Sequence, residues 1–122
     1  MFKIAAVVLL LLFSNAAFAH LHLEKEYQKA WCDKAGGVTE FKNPDNTRID
    51  CLTKKYAIEF DFAEKWAESV GQALYYGLMT GKKSGIVLIS ENSEKDIPYI
   101  NRASVLSKKY KIKLWIMNSN EL

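Results

Sequence analysis

Residues 48–76 read RIDCLTKKYAIEFDFAEKWAESVGQALYY, and this pattern predicts two short strands followed by one helix. Side chains alternate between the two faces of a strand, so the second strand has one acidic and one aromatic face. The acidic face consists of Ala57, Glu59 and Asp61, and the aromatic face of Ile58, Phe60 and Phe62. Because the phenylalanines must be buried, we expect the acids on the other side of the sheet. On the first strand, Asp50 is predicted to share a face with Arg48 and Leu52, opposite Ile49, Cys51 and Thr53.

The helix that follows has two neighbouring stripes of side chains. At about 100° per residue, four polar side chains fall within roughly 60° of one another. These are Lys65, Ser69, Gln72 and Tyr76. The neighbouring stripe is predicted to pack on the sheet and consists of Trp66, Val70, Ala73 and Gly77. The stretch therefore combines three carboxylates, whose oxygens suit Mg²⁺, with a cation and polar donors that suit a phosphate.

This set of residues resembles the PD-(D/E)xK nuclease superfamily, in particular its RecB-like and Holliday-junction-resolvase-like branches. The matching residues are Asp50, then Glu59-Phe60-Asp61 after eight intervening residues, then Gln72-x-x-x-Tyr76. The resemblance covers an αβββαβ core over roughly residues 23–90 and implies a restriction-endonuclease-like fold. The chain departs from the family at one position, because the family's lysine two residues after the acid is Asp61 here.

The resemblance implies a metal-dependent nuclease that hydrolyses phosphodiester bonds of DNA or RNA. Asp50 and Glu59, with the carbonyl of Phe60, would hold Mg²⁺ or Mn²⁺. Lys65, one helical turn after Asp61, is the expected replacement for the missing lysine and would orient the attacking water or pair with the phosphate. Asp61 would be a second metal ligand or would hold Lys65 in place.

Three residues outside the strand motif complete the predicted site. Gln72 and Tyr76 are expected to position the nucleic-acid backbone. Related nucleases often supply an acid from the first helix to the metal, so Glu24 is predicted as a third metal ligand, with Glu26 in reserve. Each glutamate, taken singly, also fits a solvated helix surface.

A second interpretation stays open because Asp61 cannot supply a positive charge. In it, the chain is a catalytically inactive module that keeps the nuclease fold and binds nucleic acid or a protein partner whether or not chelators are present. Nucleic acid, with DNA first, is the expected partner of the active form. A homodimer also stays open, since junction-resolving relatives are often dimers.

The N-terminus has the pattern of a signal peptide. Lys3 gives a positive start, and residues 4–13 are apolar but shorter than the roughly 20 residues of a membrane span. Residues 17–19, Ala-Phe-Ala, fit a cleavage site. We expect a periplasmic or secreted protein without stable membrane insertion after cleavage, in which residues 1–19 are removed and residues 20–122 form a single domain of 122 − 19 = 103 residues. The alternative is an uncleaved anchor.

A mature chain beginning at residue 20 would start with His20-Leu21-His22. A free amine, two backbone amides and a histidine in third position can form a square-planar Cu(II) or Ni(II) site. This site would require an unfolded start to the first helix. The alternative is two surface histidines at a frayed end.

The two cysteines, Cys32 and Cys51, both lie in the predicted mature chain. A single pair in an exported protein favours a disulfide, which here would join the first helix to the strand that carries Asp50. Two buried free thiols are the alternative.

Charge alone does not identify a nucleic-acid binder. Without Lys3 the chain has 16 basic and 14 acidic residues, a net charge of about +2. Its lysines are clustered at residues 82–83 and 108–113, and such clusters can follow phosphates. A solvated helix end beside an edge strand explains them equally well.

The remaining patterns complete the element order αβββαβαβ. Helices are predicted over residues 21–35, 63–80 and 98–110, and strands over 38–41, 47–53, 57–62, 86–89 and 112–117. The first helix is expected to turn Leu23, Tyr27, Ala30 and Trp31 inward. Residues 91–97 are predicted as a polar loop, and Pro98 as the start of the last helix. We therefore predict an α/β fold, a three-layer sandwich around a mixed central sheet.

Overall fold

The structure is a computed structural model that describes residues 19–122, so the predicted signal segment lies almost entirely outside the described residues. The helices are α1 (Glu24–Lys34), α2 (Trp66–Thr80) and α3 (Ser93–Tyr110). The strands are β1 (Val38–Lys42), β2 (Arg48–Leu52), β3 (Tyr56–Phe62), β4 (Lys83–Ile89) and β5 (Lys113–Met117). Short 3-10 helices span Ala63–Lys65 and Ser119–Glu121. Between residues 19 and 122, no helix is both long and apolar enough to cross a membrane.

The five strands form one mixed sheet in the order β1-β2-β3-β4-β5. The first three strands are an antiparallel meander, and β4 and β5 both run parallel to β3. Parallel neighbours need crossover connections, which α2 and α3 provide. The predicted element order and the mixed sheet are thus confirmed. The carboxyl ends of β3, β4 and β5 meet at one end of the sheet, and their amino ends meet at the other.

Helices cover both faces of the sheet. The core under α1 contains Tyr27, Cys32, Cys51, Ile58, Phe60, Phe62, Val87, Ile89 and Met117. The core under α2 and α3 contains Val70, Ala73, Ile86, Leu88, Ala103 and Ile112. The predicted packing stripe of α2 is confirmed, because Trp66 packs against this second cluster and Gly77 is buried as well.

A disulfide joins α1 to β2 and confirms the predicted pairing of the two cysteines. The Cα atoms of Cys32 and Cys51 are 5.8 Å apart, and both side chains are fully buried. Gly37 lies directly against this bridge, because a Cβ atom there would come within 2.7 Å of the Cys51 Sγ and 2.8 Å of the Cys32 Sγ. A buried disulfide is typical of proteins that fold in an oxidising compartment.

Two helix starts differ from the sequence prediction. Helix α3 begins at Ser93 rather than at Pro98, so the predicted polar loop over residues 91–97 is wrong. Asn92 caps the helix by accepting a hydrogen bond from the Lys95 N–H at 3.2 Å, and this cap outweighs the one helical hydrogen bond that Pro98 removes. Helix α1 begins at Glu24, which leaves Leu23 exposed before the helix and outside the predicted inward stripe.

Candidate functional site

Strands β2 and β3 separate at Asp50. Their ladder pairs Cys51 with Ile58 and Leu52 with Ala57 and extends no further toward the carboxyl end of β3. Beyond that point, the Asp50 carboxylate accepts a hydrogen bond from the backbone N–H of Phe60 at 2.8 Å. The side chain thus satisfies a donor that the open ladder would leave without a partner.

A second irregularity lies opposite Asp50 on β1. Glu40 has a φ of 54°, in the left-handed region that few non-glycine residues adopt, although β1 and β2 pair on both sides of it. The strict alternation predicted for β2 is therefore wrong. Ile49 and Leu52 pack in the same cluster with Tyr76, because the irregular backbone at Asp50 turns the strand between them.

Gln28 on α1 fixes both irregular residues. Its buried side-chain amide donates to the backbone carbonyl of Asp50 at 2.8 Å and to the Glu40 carboxylate at 3.2 Å. Sequence reasoning missed both Gln28 and Glu40. The spacing of Gln28, four residues after Glu24 on the same helix face, is a usable signal, whereas nothing in the sequence marks the φ of Glu40.

Four carboxyl groups come together where β2 and β3 separate: Glu24, Asp50, Glu59 and Asp61. Glu59 is 4% exposed and Asp61 is 7% exposed, on the face of β3 opposite Phe60, as predicted. The sequence did not indicate that this face would be covered as well. Because α2 packs on it, ionising these acids is costly.

Burial and mutual repulsion raise the pKa values of the two outer acids of this cluster. Burial, followed by the charge of Asp50, raises the pKa of Glu24 to about 7. Burial, followed by the charge of Glu24, raises the pKa of Asp61 to about 7 as well. The Lys65 ammonium opposes both increases. The structure therefore brings Lys65 into electrostatic contact with the acids, although its side chain is exposed.

The inner acids, Asp50 and Glu59, form a hydrogen-bonded pair. Burial raises both of their pKa values, and the neighbouring Asp50 charge raises that of Glu59 further. The hydrogen bonds that Asp50 accepts from the Phe60 N–H and from Glu59 partly offset the effect of burial on Asp50. The pair therefore holds one proton near neutral pH, carried by Glu59 and donated to Asp50.

A cleft of about 510 Å³ leads from solvent to this cluster. Its lining residues are Leu23, Glu24, Lys25, Gln28, Glu40 and Asp50. Asp50 is thus reached from the α1 side of the molecule, while Glu59 is buried behind it.

The predicted positioning residues do not form one surface. Gln72 is exposed on α2, and it takes part in no hydrogen bond or ion pair of residues 19–122. Tyr76 is buried and packs against Ile49 and Ala57. Burial and the charge of Glu59 raise the pKa of the Tyr76 hydroxyl. The predicted polar stripe is therefore divided between the surface and the core.

The residues before α1 are fixed in place, and sequence reasoning missed how. The ring of His20 stacks on Phe62 with a centroid distance of 3.4 Å, and its nitrogens lie 2.7 Å from Glu91 Oε1 and 2.8 Å from Glu64 Oε1. Glu91 Oε2 accepts from the Tyr27 hydroxyl at 2.6 Å. Although burial opposes it, these hydrogen bonds hold the pKa of Glu91 below its ordinary value.

The alternative Cu(II) or Ni(II) site conflicts with this arrangement. Such a site uses the deprotonated backbone nitrogens of Leu21 and His22, whereas both N–H groups donate to Glu91 Oε2, at 3.0 and 3.3 Å. Glu26, the reserve metal ligand, accepts from the Leu23 N–H at 2.9 Å and lies 3.3 Å from the His22 ring. Its carboxylate therefore caps the start of α1.

Models of known protein families, curated proteins and solved structures all give no match to this chain. Within residues 19–122, no group of three or more His, Cys, Asp and Glu side chains is arranged to hold a metal ion as it stands. The side chains of the carboxyl cluster would therefore have to rotate for three of them to share one ion. In the structure the Asp50 backbone N–H donates to Glu59 Oε1 at 3.5 Å, and burial raises the pKa of both carboxyl groups.

Proposed function

We propose that this protein is a metal-dependent nuclease that hydrolyses phosphodiester bonds of DNA or RNA outside the cytoplasm. The observation that carries the proposal is the cluster of four carboxyl groups, with Lys65 beside it, where β2 and β3 separate. The αβββαβαβ order and the mixed sheet support a restriction-endonuclease-like fold, as the resemblance implies. The disulfide is consistent with a periplasmic or secreted location.

The donor chemistry of the cluster suits Mg²⁺ or Mn²⁺. Both ions prefer hard carboxylate oxygens, and a divalent cation would replace the proton that Asp50 and Glu59 share. Those two residues, with Glu24 from α1, would hold the ion. A bound ion supplies Lewis-acid activation of the phosphate and lowers the pKa of its water.

Residues around the carboxyl cluster orient Asp50 and could contact a phosphodiester. The Phe60 N–H fixes one oxygen of Asp50, and Gln28 fixes the backbone carbonyl of Asp50. The exposed Lys65 ammonium, whose charge acts on Asp61 and Glu24, is available to pair with a phosphate oxygen. Gln72 is free to contact the nucleic-acid backbone, and the buried Tyr76 supports the β2–β3 platform.

The test uses Glu59→Gln, which keeps the shape of the side chain and removes its ability to ionise. Plasmid DNA, linear DNA and an RNA oligonucleotide are incubated with the protein in Mg²⁺, Mn²⁺ or EDTA. We expect metal-dependent cleavage by the parent, at least about 10²-fold less by Glu59→Gln, and parental cleavage by the exposed control Glu94→Gln. Unchanged circular dichroism would show that the fold is kept. Cleavage by Glu59→Gln at the parental rate would show that the site is misplaced.

A second candidate function is supported by Asp61 itself. A carboxyl group lies where the nucleases that this chain resembles have a lysine, and Lys65, the cation that acts on the cluster, is exposed. An inactive module of this fold would bind nucleic acid or a protein partner equally well in EDTA and would cleave nothing. Light scattering of the same samples tests whether the protein forms a homodimer.

A further inference from the structure

Eight lysines collect at the end of the sheet where β3, β4 and β5 begin. They are Lys54, Lys55, Lys82, Lys83, Lys108, Lys109, Lys111 and Lys113, and together they are called the lysine end. Backbone contacts hold their segments together. The Lys83 N–H donates to the Lys55 carbonyl at 3.1 Å, and Lys82 Nζ donates to the carbonyls of Thr53 and Lys54 at 2.9 and 2.8 Å. Lys113 lies beside Gly85 of β4.

The positive charge of the lysine end is not neutralised. Residues 53–55, 81–83 and 108–113 contain no aspartate or glutamate. None of the ion pairs found in residues 19–122 includes one of these eight lysines, and all except Lys82 are exposed. Like charges at this density repel one another, so the lysine end favours contact with a surface of high negative charge.

The opposite end of the sheet is acidic. The segments that follow β3 and β4 there carry Glu64, Glu68, Glu91, Glu94 and Asp96. Glu59 lies three residues beyond the first residue of β3, about 10 Å along the strand from the lysine end. An anionic surface therefore attracts the lysine end more strongly than the carboxyl cluster. Different residues form the two sites.

Apolar side chains project among these lysines. Leu78, in the last turn of α2, is 82% exposed, and its neighbour Met79 is exposed as well. Tyr110, the last residue of α3, is 53% exposed. Cations that surround exposed leucine and tyrosine side chains are typical of proteins that bind at a membrane interface.

A surface built for single-stranded nucleic acid would instead offer aromatic rings for stacking. Two rings near the lysines, Tyr56 and Trp115, are half-buried and pack against each other with centroids 5.2 Å apart. Lys55 and Lys113 lie over these rings at 5.5 and 5.8 Å. Of these two rings and Tyr110, only Tyr110 is exposed, so the lysine end offers one free ring rather than a row of rings for stacking.

We propose that the lysine end is a peripheral membrane-binding surface that recognises anionic lipid headgroups. The lysines contact phosphate groups, and Leu78, Met79 and Tyr110 enter the interface between headgroups and acyl chains. This binding does not depend on the proposed nuclease activity, because the eight lysines and the carboxyl cluster share no residue.

The test is co-sedimentation with vesicles of phosphatidylcholine, either alone or with about one-third phosphatidylglycerol. The protein is recovered after export, and mass spectrometry establishes its N-terminus so that residues 1–19 do not contribute. One triple variant changes Lys54, Lys83 and Lys109 to glutamine. The matched control changes Lys29, Lys42 and Lys95, three exposed lysines outside the lysine end, and removes the same net charge.

We expect binding to the anionic vesicles only, weakened by added salt. At about fivefold per lysine, the lysine-end variant should bind about 10²-fold more weakly, and the control should stay within about threefold of the parent. Leu78→Ser should weaken vesicle binding severalfold. Equal losses in the two triple variants, or no binding to anionic vesicles, would overturn the proposal. Tighter binding of a DNA oligonucleotide, with Leu78→Ser having no effect, would assign the lysine end to nucleic acid instead.

Discussion

Replacing Asp61 by asparagine should stabilise the protein in alkaline solution and have a smaller effect in acid. Burial and the charge of Glu24 raise the pKa of Asp61 from 3.8 to about 7. Between these two values the folded state keeps a proton that the unfolded state has released, so the parent loses stability as the pH rises through this window. Asparagine is neutral at every pH and avoids this loss.

The magnitude follows from the size of the pKa shift. At about 1.4 kcal/mol per pKa unit, the free energy of unfolding lost by the parent is about 4 kcal/mol at most. Water reaches the carboxyl cluster through the cleft at Asp50, and Lys65 already opposes the shift. Solvent screening therefore reduces the expected difference between pH 4.5 and pH 8.5 to about 2 kcal/mol.

Urea unfolding in EDTA at these two pH values measures the effect. The control is Asp45→Asn at the β1–β2 turn, where hydrogen bonds from Thr47 and Tyr75 lower the pKa of the aspartate. The sign is opposite there, because stability from an aspartate with a lowered pKa is present near neutral pH and lost as the pH falls. Asp45→Asn should therefore destabilise at neutral pH, and less so in acid. Parallel pH profiles for Asp61→Asn and the parent would refute the reasoning.

Two further substitutions test the site and the packing at the disulfide. Lys65→Met should lower single-turnover cleavage by about 10²-fold, because one cation near the phosphate is lost, and Mg²⁺ binding should be unchanged or slightly tighter. Equal rates for Lys65→Met, the exposed control Lys42→Met and the parent would remove Lys65 from the mechanism. Gly37→Ala should destabilise by about 1–3 kcal/mol, because its Cβ would lie 2.7 Å from a sulfur of the disulfide. The control is Gly71→Ala inside α2, where an added Cβ would meet nothing within 4 Å. This substitution should raise the free energy of unfolding in urea by about 0.5–1 kcal/mol. If Gly37→Ala raised it as well, the close packing at Gly37 would be contradicted.

Local patterns were sufficient to predict the element order and one half of the site. The alternation along β3 placed Glu59 and Asp61 opposite Phe60, and the helical period placed Val70 and Ala73 on the sheet. Both predictions depend only on the repeat of one element. The disulfide was predictable because a chain with the pattern of a signal peptide and a single pair of cysteines favours one bridge between them.

The rest of the site depends on contacts between elements that are distant in sequence. Gln28 donates to the carbonyl of Asp50, which is 22 positions away in the sequence. The left-handed backbone of Glu40 lies opposite the irregular backbone of Asp50 on β2, so neither could be predicted from one strand alone. The start of α3 was a different failure. The sequence contains a helix-start signal, Asn92 followed by acids at Glu94 and Asp96, that a prediction based on Pro98 alone overlooks.

The same tertiary contacts determine the charge of the carboxyl cluster. With its four carboxyl groups ionised and Lys65 beside them, the cluster would carry an excess of negative charge, to which Glu40 adds. Protonation reduces this excess, since burial raises the pKa values of all four acids. A divalent cation is an alternative solution, and it must displace a proton from the Asp50–Glu59 pair in order to bind. A lysine at position 61 would still leave three carboxyl groups beside two cations, an excess of one negative charge. The neutral form of the cluster therefore depends on what the solution supplies, a proton or a divalent cation.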